Sequence, residues 1–250
     1  MKIISIFFLL CVMLFAEPQK VYFYTSNHTI DDFKTFKIIF DRYLSQYGDY
    51  EFQAFSDKKS FESFMKNKSD IVLLSSFHYR QLSMKHHLHA LLVAKSKKSI
   101  KSTNVIVGKV NNPLHGTITT AFSRKYTNKL VQSVFGKRHF TILQVPKEMD
   151  ALLSVGYGMS QFASVSKKSF ELLQKTNTYL TKDMRIYSES DTDFKMLVAV
   201  NSKLGSDKKV VKMFSHMKQS KDGRDILKML GIDSIVALNS KQIRALRRSK

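Results

Sequence analysis

Four short β-rich runs in this chain end in small hydroxyl residues. Val21 to Tyr24 runs into Thr25-Ser26, Ile71 to Leu74 into Ser75-Ser76, Thr117 to Thr120 into Ala121-Phe122-Ser123, and Met184 to Tyr187 into Ser188, with Ser190 beyond it. A strand that ends in Ser or Thr before a helix offers neutral O–H donors beside unpaired backbone N–H groups. The helix start adds about half a positive charge, which makes such a junction a seat for a small oxyanion. One such end is also what an ordinary capped helix looks like. Four of them in α/β order predict a cleft lined by neutral donors. The candidate ligand-binding residues are Ser26, Ser75, Ser76, Tyr79, Thr119, Thr120, Ser123, Tyr126, Tyr157 and Ser188, the tyrosines supplying walls and further hydroxyls. Arg124 and Lys125 lie where a solvated first helical turn would also put them, so the expectation rests on Ser123, Thr119 and Thr120.

No bond-breaking chemistry stands out. Gly156-Tyr157-Gly158 meets Gln161 where a dinucleotide turn needs its third glycine, and there is neither a phosphate loop nor a nucleophile elbow. His86, His87 and His89 precede a strand, where His87 and His89 share one face and His86 takes the other, so they cannot converge as three ligands alone. The pairs Glu148 with Asp150 and Asp191 with Asp193 fall in short helical or turn contexts, where charge at a helix start explains them. An enzyme on this fold would need a general acid or base, and Glu189, His78 and Asp191 are the candidates. The expectation is a protein that is not an enzyme and holds no cofactor and no metal.

The elements that must position these residues follow from periodicity. Phe33, Phe36, Phe40, Tyr43, Leu44 and Tyr47 keep helical spacing between Asp31-Asp32 and Gly48; Tyr50 to Phe55 alternates as a strand; Phe61, Phe64 and Met65 mark a helix after Ser56-Asp57. With Ile71 to Leu74 and the helix after Ser76, the first third reads β-α-β-α-β-α, which implies a parallel sheet. Two further strands, His89 to Ala94 and Asn104 to Val110, flank the lysine-rich turn SKKSIKS, as a crossing between lobes would. Beyond it come the helix that Ser123 caps and Gly136 stops, a strand from Phe140 to Val145, a short helix from Pro146, a strand at Phe162 to Val165, a helix at Ser166 to Thr176, and late strands at Met184 to Tyr187 and Met196 to Val200. Helices at Asp207 to Gln219 and Asp222 to Leu230 follow, and the basic tail IRALRRSK reads as frayed.

The first sixteen residues, MKIISIFFLLCVMLFA, have the basic start and apolar run of a secretory signal peptide, with cleavage expected after Ala16. Cys11, the one cysteine, lies within it. The remainder must therefore rely on its core rather than on disulfides. It carries 40 basic and 20 acidic residues. That charge is dispersed, +5 over 17–104, +8 over 105–187 and +7 over 188–250, and most lysines fall on the polar sides of helices. This argues against a nucleic-acid partner, which calls for a concentrated basic face with interleaved aromatics. A basic protein adhering to anionic polymers or lipid is a rival reading, marked by steep salt dependence.

The segments SDIVLLSSFHYRQL, VPKEMDALLSVGYGMSQFASVSKKSFELL, MRIYSES and KDGRDILKMLGIDSIVALN resemble the periplasmic substrate-binding proteins of phosphate and phosphonate type ABC importers, a branch of the type II periplasmic binding fold. The likeness runs over residues 20 to 240. Where that family often has a Ser-Thr-Ser run, this chain has Ala121-Phe122-Ser123-Arg124-Lys125-Tyr126, one serine and two cations. The resemblance implies an α/β, two-lobed fold with mainly parallel sheets and a hinge-flanked cleft. Lobe one would take residues 17–104 and 188–250, and lobe two 105–187. It further implies a periplasmic monomer that captures phosphate, phosphite or a phosphonate and hands it to a membrane ABC permease, or reports it to a membrane sensor.

Overall fold

The computed structural model describes residues 18–26, 30, 32–65, 71–201 and 207–248; the first sixteen residues, Asn27, His28 and Asp31 lie outside that range. Two sheets divide the chain. The first has the order β11-β4-β10-β3-β1-β2, where β1 is Gln19–Tyr24, β2 Tyr50–Phe55, β3 Ile71–Leu74, β4 Leu88–Lys95, β10 Leu197–Asn201 and β11 Ser234–Ala237. The second has the order β7-β6-β8-β5-β9, with β5 Lys101–Lys109, β6 Gly116–Thr120, β7 Phe140–Gln144, β8 Phe162–Ser166 and β9 Met184–Phe194.

β1 pairs in parallel with β2 and β3, as the β-α-β-α-β pattern requires, and β10 returns antiparallel between β3 and β4. The run VYFY is apolar throughout because both of its faces are covered. Val21 and Phe23 join one core with Phe36, Phe40 and Phe52, while Tyr22 and Tyr24 join another with Phe61, Val72 and Leu74. The first helix, α1 (Phe33–Ser45), buries Phe36, Phe40, Tyr43 and Leu44 and leaves its opening Phe33 exposed. Phe40 stacks on Phe52 of β2 at 4.0 Å between ring centres. Burying each such ring stabilises the fold by roughly 1.5–3 kcal/mol. Asp32 caps α1 by accepting from the Thr35 amide at 2.9 Å.

Helices α2 (Lys58–Phe64) and α3 (Ser76–Leu82) complete the first half of this lobe. In the second sheet, α4 (Arg124–Phe135), α5 (Glu148–Gly156), α6 (Lys167–Thr176) and α7 (Thr178–Thr181) cover the strands. α8 (Asp207–Ser215), α9 (Lys221–Met229) and α10 (Ser240–Arg248) then return to the first lobe. Gly223 in the first turn of α9 has a plain steric reason, since a Cβ there would stand 2.0 Å from the Met217 carbonyl oxygen.

Three sequence expectations need correction. The tail is the helix α10, because Leu246 docks into the first-lobe core with Ile243 packed beside it. β9 runs to Phe194, so Asp191 and Asp193 are strand residues rather than turn residues. The divisions expected at 104/105 and 187/188 fall inside β5 and β9, which pair with each other from Lys101–Phe194 to Lys109–Met184. The chain passes between the sheets at 96–100 and at 195–196 instead, where Lys195 N–H donates to Ile100 O at 2.9 Å and Ala94 N–H to Met196 O at 2.8 Å.

Candidate functional site

The C-terminal ends of β1 and β3 face the second lobe, and the interlobe space there splits in two. The larger part is an open cleft of about 560 Å³. Thr25 and Ser75 line it from the first lobe, Ser166, Lys167, Lys168, Glu171, Leu172 and Lys175 from the second, and the crossing segments add Ser96, Lys97, Lys101, Ser102, Thr103, Lys195 and Met196. Phe23 and Leu230 to Asp233 close its floor. The smaller part, about 210 Å³, lies between α3 and α4 and is lined by Phe77, Arg80, Gln81, Met84, Ser123, Lys125, Tyr126 and Lys129.

Between them the lobes are in direct contact. Arg80 of α3 forms an ion pair with Asp193 of β9; the Asp193 side chain is buried and the Arg80 side chain largely so. The second oxygen of Asp193 accepts from Asn104 Nδ2 at 2.7 Å, and the same Asn104 amide group donates to the Tyr126 hydroxyl at 2.7 Å. Phe77 packs against Phe122 and Tyr126 with ring centres 5.7 and 6.0 Å apart. Further in, the Glu148 amide donates to Ser26 O at 3.3 Å.

The hydroxyl residues singled out by sequence do not form one bed. Ser75 lines the larger cleft and caps α3, its Oγ accepting from the His78 amide at 3.2 Å. Ser76 is buried and donates to Phe194 O at 2.7 Å, which ties α3 to the crossing strand. Ser26 is buried beside Glu148. Ser123 and Tyr126 line the smaller pocket, where Ser123 Oγ caps α4 by accepting from the Tyr126 amide at 3.2 Å. Thr120 is fully buried; its hydroxyl donates to Ser164 O at 2.9 Å and accepts from the Phe122 amide at 3.0 Å. Thr119 is equally buried, and its Oγ1 has no hydrogen-bond partner among the described residues.

Three of the expected residues stand elsewhere. Tyr79 belongs to the first-lobe core, donating to Leu88 O at 3.3 Å and accepting from the Ala90 amide at 3.2 Å. Tyr157 is 65% exposed at the far end of α5 from Glu148. Ser188 sits half-buried on β9 opposite Ile106, outside the lining of both pockets. Arg124 donates to the Ile142 carbonyl at 3.4 Å and lines neither pocket.

Sequence reasoning passed over the residues that give the larger cleft its character. Six lysines line it against two carboxylates, Glu171 and Asp233. A signal was present: the tetrapeptide Ser-Lys-Lys-Ser occurs twice, at 96–99 and 166–169. Glu148 was also missed, having been read as a helix-start charge. It is completely buried, and its Oε2 accepts from the Ser166 amide at 2.7 Å and from Ser166 Oγ at 2.6 Å. Burial pushes its pKa up against those hydrogen bonds. The carboxyl therefore already serves the first turn of α6, and attraction for an anion in the cleft must come from the lysines.

This geometry has a testable consequence for Glu148. Glu148→Ala is expected to cost about 1–3 kcal/mol, because the buried Ser166 amide loses its acceptor. Glu148→Gln keeps an acceptor oxygen and removes a titrating group. A carboxyl raised in the native state favours folding fully below its unfolded pKa of 4.5 and progressively less as pH rises toward its folded value. Melting midpoints against pH are thus expected to fall more for the wild type than for the Gln variant above pH 4.5, and parallel curves would refute the assignment.

The general acid and base candidates are all engaged. Glu189 accepts from Lys167 Nζ at 2.7 Å, Asp191 from the Thr103 hydroxyl, and His78 is buried with its pKa pushed down to about 3 by desolvation and by the nearby Lys58 charge. His89 Nε2 meets Asp207 at 2.9 Å, and no group of three potential metal ligands occurs among the described residues. No helix among the described residues is long and apolar enough to cross a membrane.

No protein-family model matches the chain, and no curated protein matches it. Solved structures do. PhnD1 from Prochlorococcus marinus in complex with methylphosphonate superposes with a TM-score of 0.70 at 13% identity, covering 92% of this chain and 96% of that one. A binding protein component of an ABC phosphonate transporter from Pseudomonas aeruginosa gives 0.69 at 13%, over 92% and 85%. An ancestral arginine-binding protein bound to arginine gives 0.55 at 14%, over 85% and 97%. The fold is accordingly that of two-lobed periplasmic binding proteins.

Proposed function

We propose that this protein is an exported solute-binding protein that holds an anionic solute of the phosphorus oxyanion class between its lobes and delivers it to a membrane ABC permease. The observation that carries the reading is the larger interlobe cleft, where Thr25 and Ser75 at the ends of first-lobe strands meet Ser166 and a bank of lysines from the second lobe and the crossings. Neutral hydroxyls orient an oxyanion, and the surrounding lysines attract it by charge. The engagement of Glu189, Asp191 and His78 in other contacts favours capture over catalysis. The phosphonate-associated neighbours support the solute class, and the basic start with its apolar run supports export to the periplasm.

A thermal-shift screen of the chain from residue 17 tests this. A solute at a hundred times its dissociation constant adds about 2.7 kcal/mol, which for a chain of this size raises the midpoint by about 5–10 °C. Phosphate, phosphite or methylphosphonate is expected to give such a rise, and arginine is not. A rise with arginine alone would assign the cleft to an amino acid.

A further inference from the structure

The two Ser-Lys-Lys-Ser segments stand on opposite walls of the larger cleft. One, at 96–99, is the turn that leads out of β4; the other, at 166–169, is the start of α6. Lys97 belongs to the first, Lys167 and Lys168 to the second, and Lys101, Lys175 and Lys195 line the same cleft, the Lys101 amine lying 3.8 Å over the Phe194 ring. Their opposing charges are few. Glu171 and Asp233 line the same space; Asp233 accepts from the Lys97 backbone amide at 2.8 Å, and Glu189 outside it holds Lys167. Lys195 Nζ is anchored on Ser96 O at 3.0 Å, so one wall presents its amine from a fixed position. The Lys168 amine comes up to Gly231, where a Cβ would stand 2.6 Å from it; Gly231 leaves that path open, and its φ of +63° suits glycine.

Two features show that the cations are retained at a cost. Lys97 and Lys98 form the centre of a two-residue turn, Ser96 and Ser99 exchanging backbone hydrogen bonds of 3.0 Å in both directions, with φ of 48° and 62°. That turn geometry ordinarily selects Asn and Gly, since a branched-out side chain is strained at positive φ. Lys168 and Lys195 also repel: burial and the Lys195 charge lower the pKa of Lys168, and burial lowers that of Lys195 against the opposing Asp233 charge, with a further lowering from the Lys97 charge. A single tetrahedral oxyanion fills only a few water volumes of about 30 Å³. It occupies a small part of a 560 Å³ cleft.

We infer that the cleft between the two Ser-Lys-Lys-Ser segments binds a condensed phosphate, a di- or triphosphate group carried bare or on an organic body. The inference rests on the solute-binding reading of this cleft and narrows its ligand. Several phosphates in a row let one ligand face Lys97, Lys195 and Lys168 together and set more negative charge against them than a single orthophosphate carries. Leu172, Met196 and Ile232 give an organic body an apolar surface to rest on.

Isothermal titration at low salt, with orthophosphate, tripolyphosphate and a nucleoside triphosphate as probes, decides it. Tripolyphosphate is expected to bind at least tenfold tighter than orthophosphate, and a still tighter nucleoside triphosphate would place the organic body on the apolar floor. Orthophosphate binding as tightly as tripolyphosphate overturns the inference and leaves the solute-binding reading standing; no binding by any of the three probes also overturns the inference, and the solute-binding reading falls with it only if phosphite and methylphosphonate fail in the thermal-shift screen as well. Lys97→Asn relaxes the turn, so it is expected to raise the melting midpoint while weakening tripolyphosphate at least fivefold. Lys168→Gln is expected to weaken it similarly. Unchanged affinity in both variants removes the ligand from this cleft.

Discussion

Asp193→Ala is expected to lower the unfolding free energy by about 3–5 kcal/mol, and Arg80→Met by a comparable amount. The two side chains are 5% and 13% exposed, so removing either leaves the other as an uncompensated charge in a site that water hardly reaches. Asp193 is the more deeply committed partner, because its second oxygen also accepts from Asn104, which in turn donates to Tyr126. The chain Arg80, Asp193, Asn104, Tyr126 joins α3 of one lobe to β5, β9 and α4 of the other. Removing both charges together, as Arg80→Met with Asp193→Leu, is expected to cost far less than the two single changes added, since no orphan charge remains. Denaturant unfolding of the three variants measures this. Additive losses would mean that the pair is not one unit. The Arg42–Asp222 pair supplies the contrast: Arg42 is 58% exposed, and breaking that pair is expected to change stability by under about 1 kcal/mol.

Acid titration is expected to find His78 neutral far below the usual imidazole range. Burial, with a smaller push from the Lys58 charge, takes its pKa from 6.5 to about 3, while Nδ1 stays 2.9 Å from the Ser75 hydroxyl and the ring stands edge-on to Tyr24. The unfolded chain takes up a proton near pH 6.5 that the folded chain refuses until about pH 3. Stability from this residue is therefore complete above pH 6.5 and drains away as pH falls toward 3, by roughly 5 kcal/mol in all. His78→Gln is expected to lose stability at neutral pH through packing, and to show a shallower fall through that window. Imidazole resonances followed by NMR give a direct check, and a His78 midpoint near 6.5 would sink the prediction. Glu148 acts with the opposite sign above pH 4.5, so each residue is isolated only against its own variant.

Sequence patterns carried much of the architecture, for identifiable reasons. A parallel strand buried on both faces must be apolar throughout, as VYFY and IVLL are. A helix lying on that sheet must repeat its large residues at helical spacing, as Phe36, Phe40 and Tyr43 do. Ser75, Ser123 and Ser166 are legible as helix starts because capping is a local interaction, made within three residues. The same locality limits what a cap reveals. Ser123 was the favoured anion seat, yet its hydroxyl serves its own helix and faces the smaller pocket.

What lay beyond local pattern concerns partners distant in sequence. Arg80 and Asp193 are 113 residues apart, and Glu148 lies 18 residues before Ser166. Nothing in either residue's neighbours announces the other. The tail looked frayed because its many charges hide the two apolar positions, Ile243 and Leu246, that dock it. Of the hydroxyl-ended strands, those ending in Thr25 and Ser75 reach the lining of the larger cleft, because the C-terminal ends of parallel strands share one edge of a sheet.

The sequence by itself therefore determined the two-layered α/β elements, the crossing turn and the helix caps, all of which depend on periodicity and short-range hydrogen bonding. Only the tertiary structure decided which charged groups meet. Two Ser-Lys-Lys-Ser segments 70 residues apart become opposite walls of one cleft because the chain crosses twice between its sheets, at 96–100 and 195–196. Charge that composition shows as dispersed is concentrated there by the fold.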